Sequence, residues 1–289
     1  MQNLINESLP LLRAISTKLE SSFNPNGQQV NLHEKIILDL ILKYRKNLAI
    51  IILGLEHHVN DSFITIGLSN NFRVIAADTL TLAYMLSFLS PNIEDEQIAF
   101  RNEVNALNNE FIHQKLEIFR VELGKELADK RMQKLHPGSY KQKNKNTILK
   151  NRDDFHLHGP KERYKRLPNY PKEKSPDSII SNCLASGAFL TERSKFKRLK
   201  EVTNFSSSQN VYINYKYFSM FYHYTPVAGD MARKYHEIFY KQSTFCILNT
   251  VNIILTCKPI LSVINDEAFN DLGKLHITFA QLAAKYFPD

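Results

Sequence analysis

The chain has 289 residues, 43% of them apolar, and a formal charge of +8, enough for one large core or two small ones, so most of it is expected to be globular. Its nine glycines are scattered, and no Walker loop, dinucleotide fingerprint or Gly-x-Ser-x-Gly elbow occurs, which argues against phosphate-cradling and α/β-hydrolase chemistry. Three cysteines in a chain this long (Cys183, Cys246 and Cys257) predict a reducing, cytoplasmic setting without disulfides. The N-terminus lacks a basic stretch ahead of an apolar core, so no secretory signal is read there. The most apolar windows, Leu48–Leu55 and Phe245–Thr256, are too short or too interrupted by asparagine to span a bilayer, so no membrane association is expected.

The elements read as follows. Leu9, Leu12, Ile15 and Leu19 recur at helical steps, predicting a helix over 4–23 that ends at Asn24-Pro25-Asn26-Gly27. Asn31 is placed to cap a second helix running to about His58, with Ile36, Ile37, Leu40, Ile41 and Tyr44 on its apolar side. Within it Ile50–Ile52 is β-branched and fits a buried strand, but its continuity with the helical pattern favours helix. Ser69-Asn70-Asn71 is expected to interrupt the chain before a helix over Phe72–Leu89. Ile93–Leu135 reads as a long amphipathic helix, acidic in its first turn and basic in its last, as the helix dipole favours. A short helix over Ser178–Leu190 precedes a second basic patch, Arg193–Lys200. Helices are then predicted over Tyr212–Tyr222, Gly229–Lys258 and Asn265–Phe287.

The fold class is therefore all-α, an antiparallel helical bundle with one long basic insertion. Its expected parts are an N-terminal helix (1–30), a first half of the bundle (31–135), the insertion or linker (136–176) and a second half (177–289). Charge singles out the insertion. Between Lys130 and Lys174 fourteen Lys/Arg face four acidic residues, a net of +10 that leaves the rest of the chain at −2. Lys141, Lys143, Lys145, Lys150, Lys161, Arg163, Lys165 and Arg166 are the residues expected to attract RNA or another polyanion. The same charge would dock an acidic protein partner, or it would simply keep a loop solvated.

Two stretches carry a resemblance. Asn71–Asp78 (NFRVIAAD) resembles an arginine-then-acidic helix of a bacterial family of all-helical domains, and Tyr215–His223 (YKYFSMFYH) resembles that family's tyrosine, serine and histidine helix. The family is itself similar to HEPN (higher eukaryotes and prokaryotes nucleotide-binding) bundles. Phe72 stands where an aliphatic residue is usual, Asp78 stands for glutamate, and the basic insertion has no counterpart. The resemblance implies a toxin or phage-defence effector that is a metal-independent endoribonuclease, with an Arg, four to six residues and a His supplied by each copy of a homodimer. Arg152 and His158 fit that spacing, with Asp153 in the polar place after the Arg, as do Arg131 and His136. In such a site the His acts as general acid/base on the ribose 2′-hydroxyl and the Arg steadies the phosphorane.

The second constellation is Ser219 and His223, one turn apart in a helical reading, which Arg73 and Asp78 from another helix would complete. It serves proton transfer, or it is a satisfied polar cluster that fixes helix register. Tyr212, Tyr215, Phe218 and Tyr222 form an aromatic stripe that reads as core before it reads as a base-stacking platform. His57, His58, His156 and His158 have no CxxC, HExxH or spaced carboxylate pair beside them, and Glu103, Glu110 and Glu117, at heptad spacing like a carboxylate ladder, have no accompanying Glu-x-x-His, so neither metal nor cofactor is expected.

Overall fold

The computed structural model describes residues 2–23, 30–57, 62–89, 191–201, 208–221 and 236–288, together with Phe100, Val104, Lys134 and Leu135. The chain divides into two compact units, Met1–Gln97 with Glu192–Asp289, and Ile98–Thr191. The first contains seven described helices: α1 (Gln2–Ser22), α2 (Leu32–His57), α3 (Ser62–Leu86), α4 (Glu192–Glu201), α5 (Ser208–Ser219), α6 (His236–Leu255) and α7 (Asp266–Tyr286). The described part is all-α, with a lone antiparallel bridge between Phe23 and Ile264 as its β-type pairing. No described helix is long and apolar enough to cross a membrane.

Several ends are fixed by their sequence. Asn31 Oδ1 accepts the Glu34 N–H at 2.9 Å, and Glu34 returns a carboxylate to the Asn31 N–H at 3.0 Å, a reciprocal capping box at the head of α2. Glu34 also accepts the Ser262 N–H at 2.6 Å, tying this cap to the α6–α7 connection. Asn265 caps α7 from one side only, its Oδ1 accepting the Ala268 N–H. Ile50–Ile52 is helical, inside α2.

Helix α3 corrects one expectation. It runs unbroken through Ser69-Asn70-Asn71. Ser69 is fully buried and turns its hydroxyl back to the Ile66 carbonyl at 2.6 Å, while Asn70 is exposed and Asn71 half-buried. The polar triplet thus sits between the buried Leu68 and Phe72 without leaving a backbone group that needs a turn. Where α2 and α3 approach, Gly54 makes room: a Cβ there would lie 2.8 Å from Leu68 Cδ2.

This long α3 is the centre of the unit, packed on α2, α4, α5 and α6, while α1 lies against α2 and α7. The core of α3, α5 and α6 is aromatic. Phe72 stacks on Phe218 with centroids 5.1 Å apart, and both meet Phe239 edge-on at 5.9 Å. Thr79 and Thr250 join their hydroxyls at 2.8 Å between α3 and α6. The predicted helices over Ile93–Leu135 and Ser178–Leu190 fall almost wholly outside the described residues, as does the insertion.

Candidate nucleic-acid interface

The basic patch Arg193–Lys200 lies within α4, whose ten residues hold five Lys/Arg and two Glu. Only Lys195 and Leu199 among its residues are buried. Leu199 supplies apolar contact. Lys195 Nζ donates to Thr81 Oγ1 on α3 at 3.0 Å. Arg198 lies 3.6 Å from the Phe88 ring centroid and donates to the hydroxyl and carbonyl of Ser87. A helix too polar to dock by burial alone is thus held by three anchors at successive positions of its inner face.

That docking brings Phe196 of α4 against Tyr212 of α5. The two rings stack 4.2 Å apart and nearly parallel, at 6°. Tyr215 continues the row, 6.2 Å from Tyr212. All three rings are half-buried. Cations flank them: Lys200 5.9 Å from the Phe196 centroid, Lys216 5.5 Å from Tyr212, and Arg73 of α3 5.6 Å from Tyr215. Arg193, Lys197, Lys200 and Lys216 are exposed on the same two helices, and Ile213 and Met220 add exposed apolar side chains on α5. The aromatic stripe read from the sequence therefore divides. Phe218 belongs to the core, Tyr212 and Tyr215 to this ladder, and Tyr222 lies outside the described residues.

Arg73 and Ser219 do come together. Arg73 Nε donates to Ser219 Oγ at 3.3 Å, and Ser219 donates to the Tyr215 carbonyl at 2.6 Å. The hydroxyl proton is thus committed to its own helix, which leaves Ser219 an anchor for the guanidinium rather than a nucleophile. Tyr215 in turn donates to Glu192 across the α4–α5 contact at 3.4 Å.

Asp78 is not in this group. It faces Lys43 of α2, with Oδ1 accepting from Nζ at 2.8 Å, while Oδ2 is buried and takes no hydrogen bond. Burial pushes its carboxyl up from the ordinary range, against the pull of Lys43 and of the Lys195 charge. Asp78 therefore joins α2, α3 and α4, and the expected Arg73–Asp78–Ser219 cluster is split between two sides of α3. The difference follows from helical phase: five residues along an α-helix turn a side chain to another face.

Helix α5 also ends earlier than predicted. Met220 and Phe221 form a turn closed by bonds to the Tyr217 and Phe218 carbonyls. His223 lies outside the described residues, as do Arg152, His158 and the eight cations of the insertion. Among the described residues no three His, Cys, Asp or Glu side chains converge as metal ligands would. Cys246 and Cys257 are buried, and desolvation pushes Cys257 up to about 12 and Cys246 beyond it, so neither is a ready nucleophile.

No protein-family model, curated protein or solved structure matches the chain. The reading of this face rests on its chemistry.

The role of Phe196 could have been found in the sequence. Phe196 and Tyr212 each sit at helical spacing from lysine, at Lys200 and Lys216. What the sequence could not supply is that α4 and α5 lie side by side, which turns two short patterns into one ladder.

Proposed function

We propose that the protein binds single-stranded RNA on the face formed by α4 and α5. The observation that carries this reading is the row Phe196, Tyr212, Tyr215 with Lys200, Lys216 and Arg73 set against the rings. Stacked aromatics accept any base through its π-face, at about 1–3 kcal/mol per base, and neighbouring cations track the backbone. A base extends the row by taking the place of the Lys200 ammonium over Phe196 or of the Arg73 guanidinium over Tyr215. The displaced cation then meets the adjacent phosphate. The +10 segment Lys130–Lys174 raises the local concentration of polyanion without regard to sequence. Cleavage is a further step of the same proposal, assigned to Arg152 and His158.

The test is fluorescence anisotropy of a labelled single-stranded RNA across a salt series, with wild type, Tyr212→Leu, and Lys200→Gln combined with Lys216→Gln. Tyr212→Leu breaks the row between Phe196 and Tyr215, the two rings that take bases, and is expected to weaken binding about tenfold. The lysine pair is expected to flatten the log–log salt slope by about 1.4, at about 0.7 per phosphate contact. Unchanged affinity and slope in both variants would remove the α4–α5 face from the reading. Gel analysis of the same mixtures, with and without EDTA and beside His158→Ala and His223→Ala, separates binding from cleavage. Loss of RNA that survives EDTA and stops with one histidine variant assigns the nuclease, and intact RNA throughout limits the function to binding.

A further inference from the structure

A groove of about 430 Å³ lies between the C-terminal half of α1 and the N-terminal half of α2, away from the α4–α5 face. This is the volume of a small-molecule site. Its floor is apolar: Leu19 and Ile41 are buried, Phe23 and Leu38 half-buried, and Leu42 stands exposed on the rim. Two cations and two acids line the mouth, Lys35 and Arg45 against Glu20 and Asp39.

The formal charges cancel, but the two signs are not held alike. Arg45 Nη2 meets Glu20 Oε2 at 2.8 Å across the helix pair. The arginine side chain is 30% exposed, whereas the glutamate is 62% exposed. The guanidinium is therefore the fixed partner, with its stem packed along the groove, and the carboxylate is the exchangeable one. Lys35, ten residues earlier on α2 and about 15 Å along the axis, makes no ion pair among the described residues. An incoming carboxylate on an apolar body gains the arginine fork and the apolar floor together, and Glu20 swings into water.

We propose that this groove binds a small amphipathic carboxylate, a medium-chain fatty acid in size and shape, with its head on Arg45 and its chain along Leu19, Phe23, Leu38 and Ile41. The site is independent of the RNA-binding reading.

The probe is decanoate below its micelle concentration, titrated calorimetrically into the full-length protein, with decanol as the uncharged control. Saturable one-to-one binding of decanoate, tighter than decanol, is expected. Arg45→Gln is expected to weaken decanoate about tenfold, the worth of one charge-assisted hydrogen bond, and leave decanol unmoved. Glu20→Gln removes the competing carboxylate and is expected to tighten decanoate several-fold. Leu42→Asp, at an exposed rim position, is expected to weaken both ligands without unfolding the protein, as circular dichroism will verify. Opposite shifts from the two members of one ion pair are a signature that non-specific apolar adsorption does not produce. No saturable binding, equal affinity for decanol, or unchanged decanoate affinity in Arg45→Gln and Glu20→Gln would each overturn the proposal. So would full affinity in Leu42→Asp, which would put the ligand elsewhere.

Discussion

Leu199→Ala should release α4 from the bundle without unfolding the rest. Leu199 is 1% exposed and is the sole buried apolar side chain of that helix. Its burial stabilises the docked state by about 1.5–3 kcal/mol. The Arg198–Phe88 contact adds about 0.5–2 kcal/mol. The Lys195–Thr81 bond adds about 1 kcal/mol net. Set against these is the ordering of a ten-residue helix that is too short to persist alone. The margin holding α4 is thus a few kcal/mol, and Leu199→Ala removes much of it. Hydrogen exchange followed by mass spectrometry is the assay. In wild type, α4 amides should exchange faster than those of α3 and α6. In the variant they should lose nearly all protection, while α6 and α7 change little. RNA affinity should fall in parallel, because Phe196 leaves Tyr212. If α4, α3 and α6 instead lose protection together, α4 is part of the cooperative core and the argument that it docks with a small margin is wrong.

The core carries larger costs. Phe72→Ala should destabilise the whole unit by about 3–5 kcal/mol in urea melts, since it removes a fully buried ring that meets both Phe218 and Phe239. Thr79→Val should cost about 0.5–1.5 kcal/mol, the net worth of one hydrogen bond, since Thr250 still donates to the Cys246 carbonyl, and the Thr79→Val, Thr250→Val double variant should cost less than the sum of the two single variants in a double-mutant cycle. Glu34 gives a pH dependence. Burial raises its carboxyl, but the hydrogen bonds from Ser262 and Asn31 together hold it below its ordinary value of 4.5. A folded-state value below the unfolded one contributes stability above pH 4.5 that is lost as pH falls through the folded value. Glu34→Gln should therefore lower the thermal midpoint at pH 7 and flatten its decline on the acid side. Cys246 and Cys257 should stay unreactive toward a thiol reagent at pH 8 until the protein is unfolded.

Much of this architecture was legible because long helices write their apolar period many times over. The limits of α1, α2 and α7 follow from it to within a residue or two, and the caps Asn31 and Asn265 are visible as residue types. The misreading at Ser69-Asn70-Asn71 shows where such signals fail. Serine and asparagine mark turns only when their side chains compete for backbone groups that the helix would otherwise use. Ser69 has a helical carbonyl in reach, and the apolar residues on either side outweigh a weak local preference.

The candidate site was legible only in fragments, for a related reason. Arg73 and Ser219 were paired from a helix–helix likeness, and they do meet. Asp78 is grouped with them by the same resemblance, but its phase on α3 turns it to Lys43 and Lys195. Helical phase decides which polar groups share a face. An error of one residue in a helix boundary leaves that phase intact. The ladder was hidden more deeply. Phe196 and Tyr212 belong to two short helices, and α4 is so polar that it docks by a buried lysine and a stacked arginine beside a single leucine. Hydrophobic periodicity does not register contacts of that kind. A polar helix that is nonetheless anchored is therefore a place to look for function, because burial alone gives it no reason to be there.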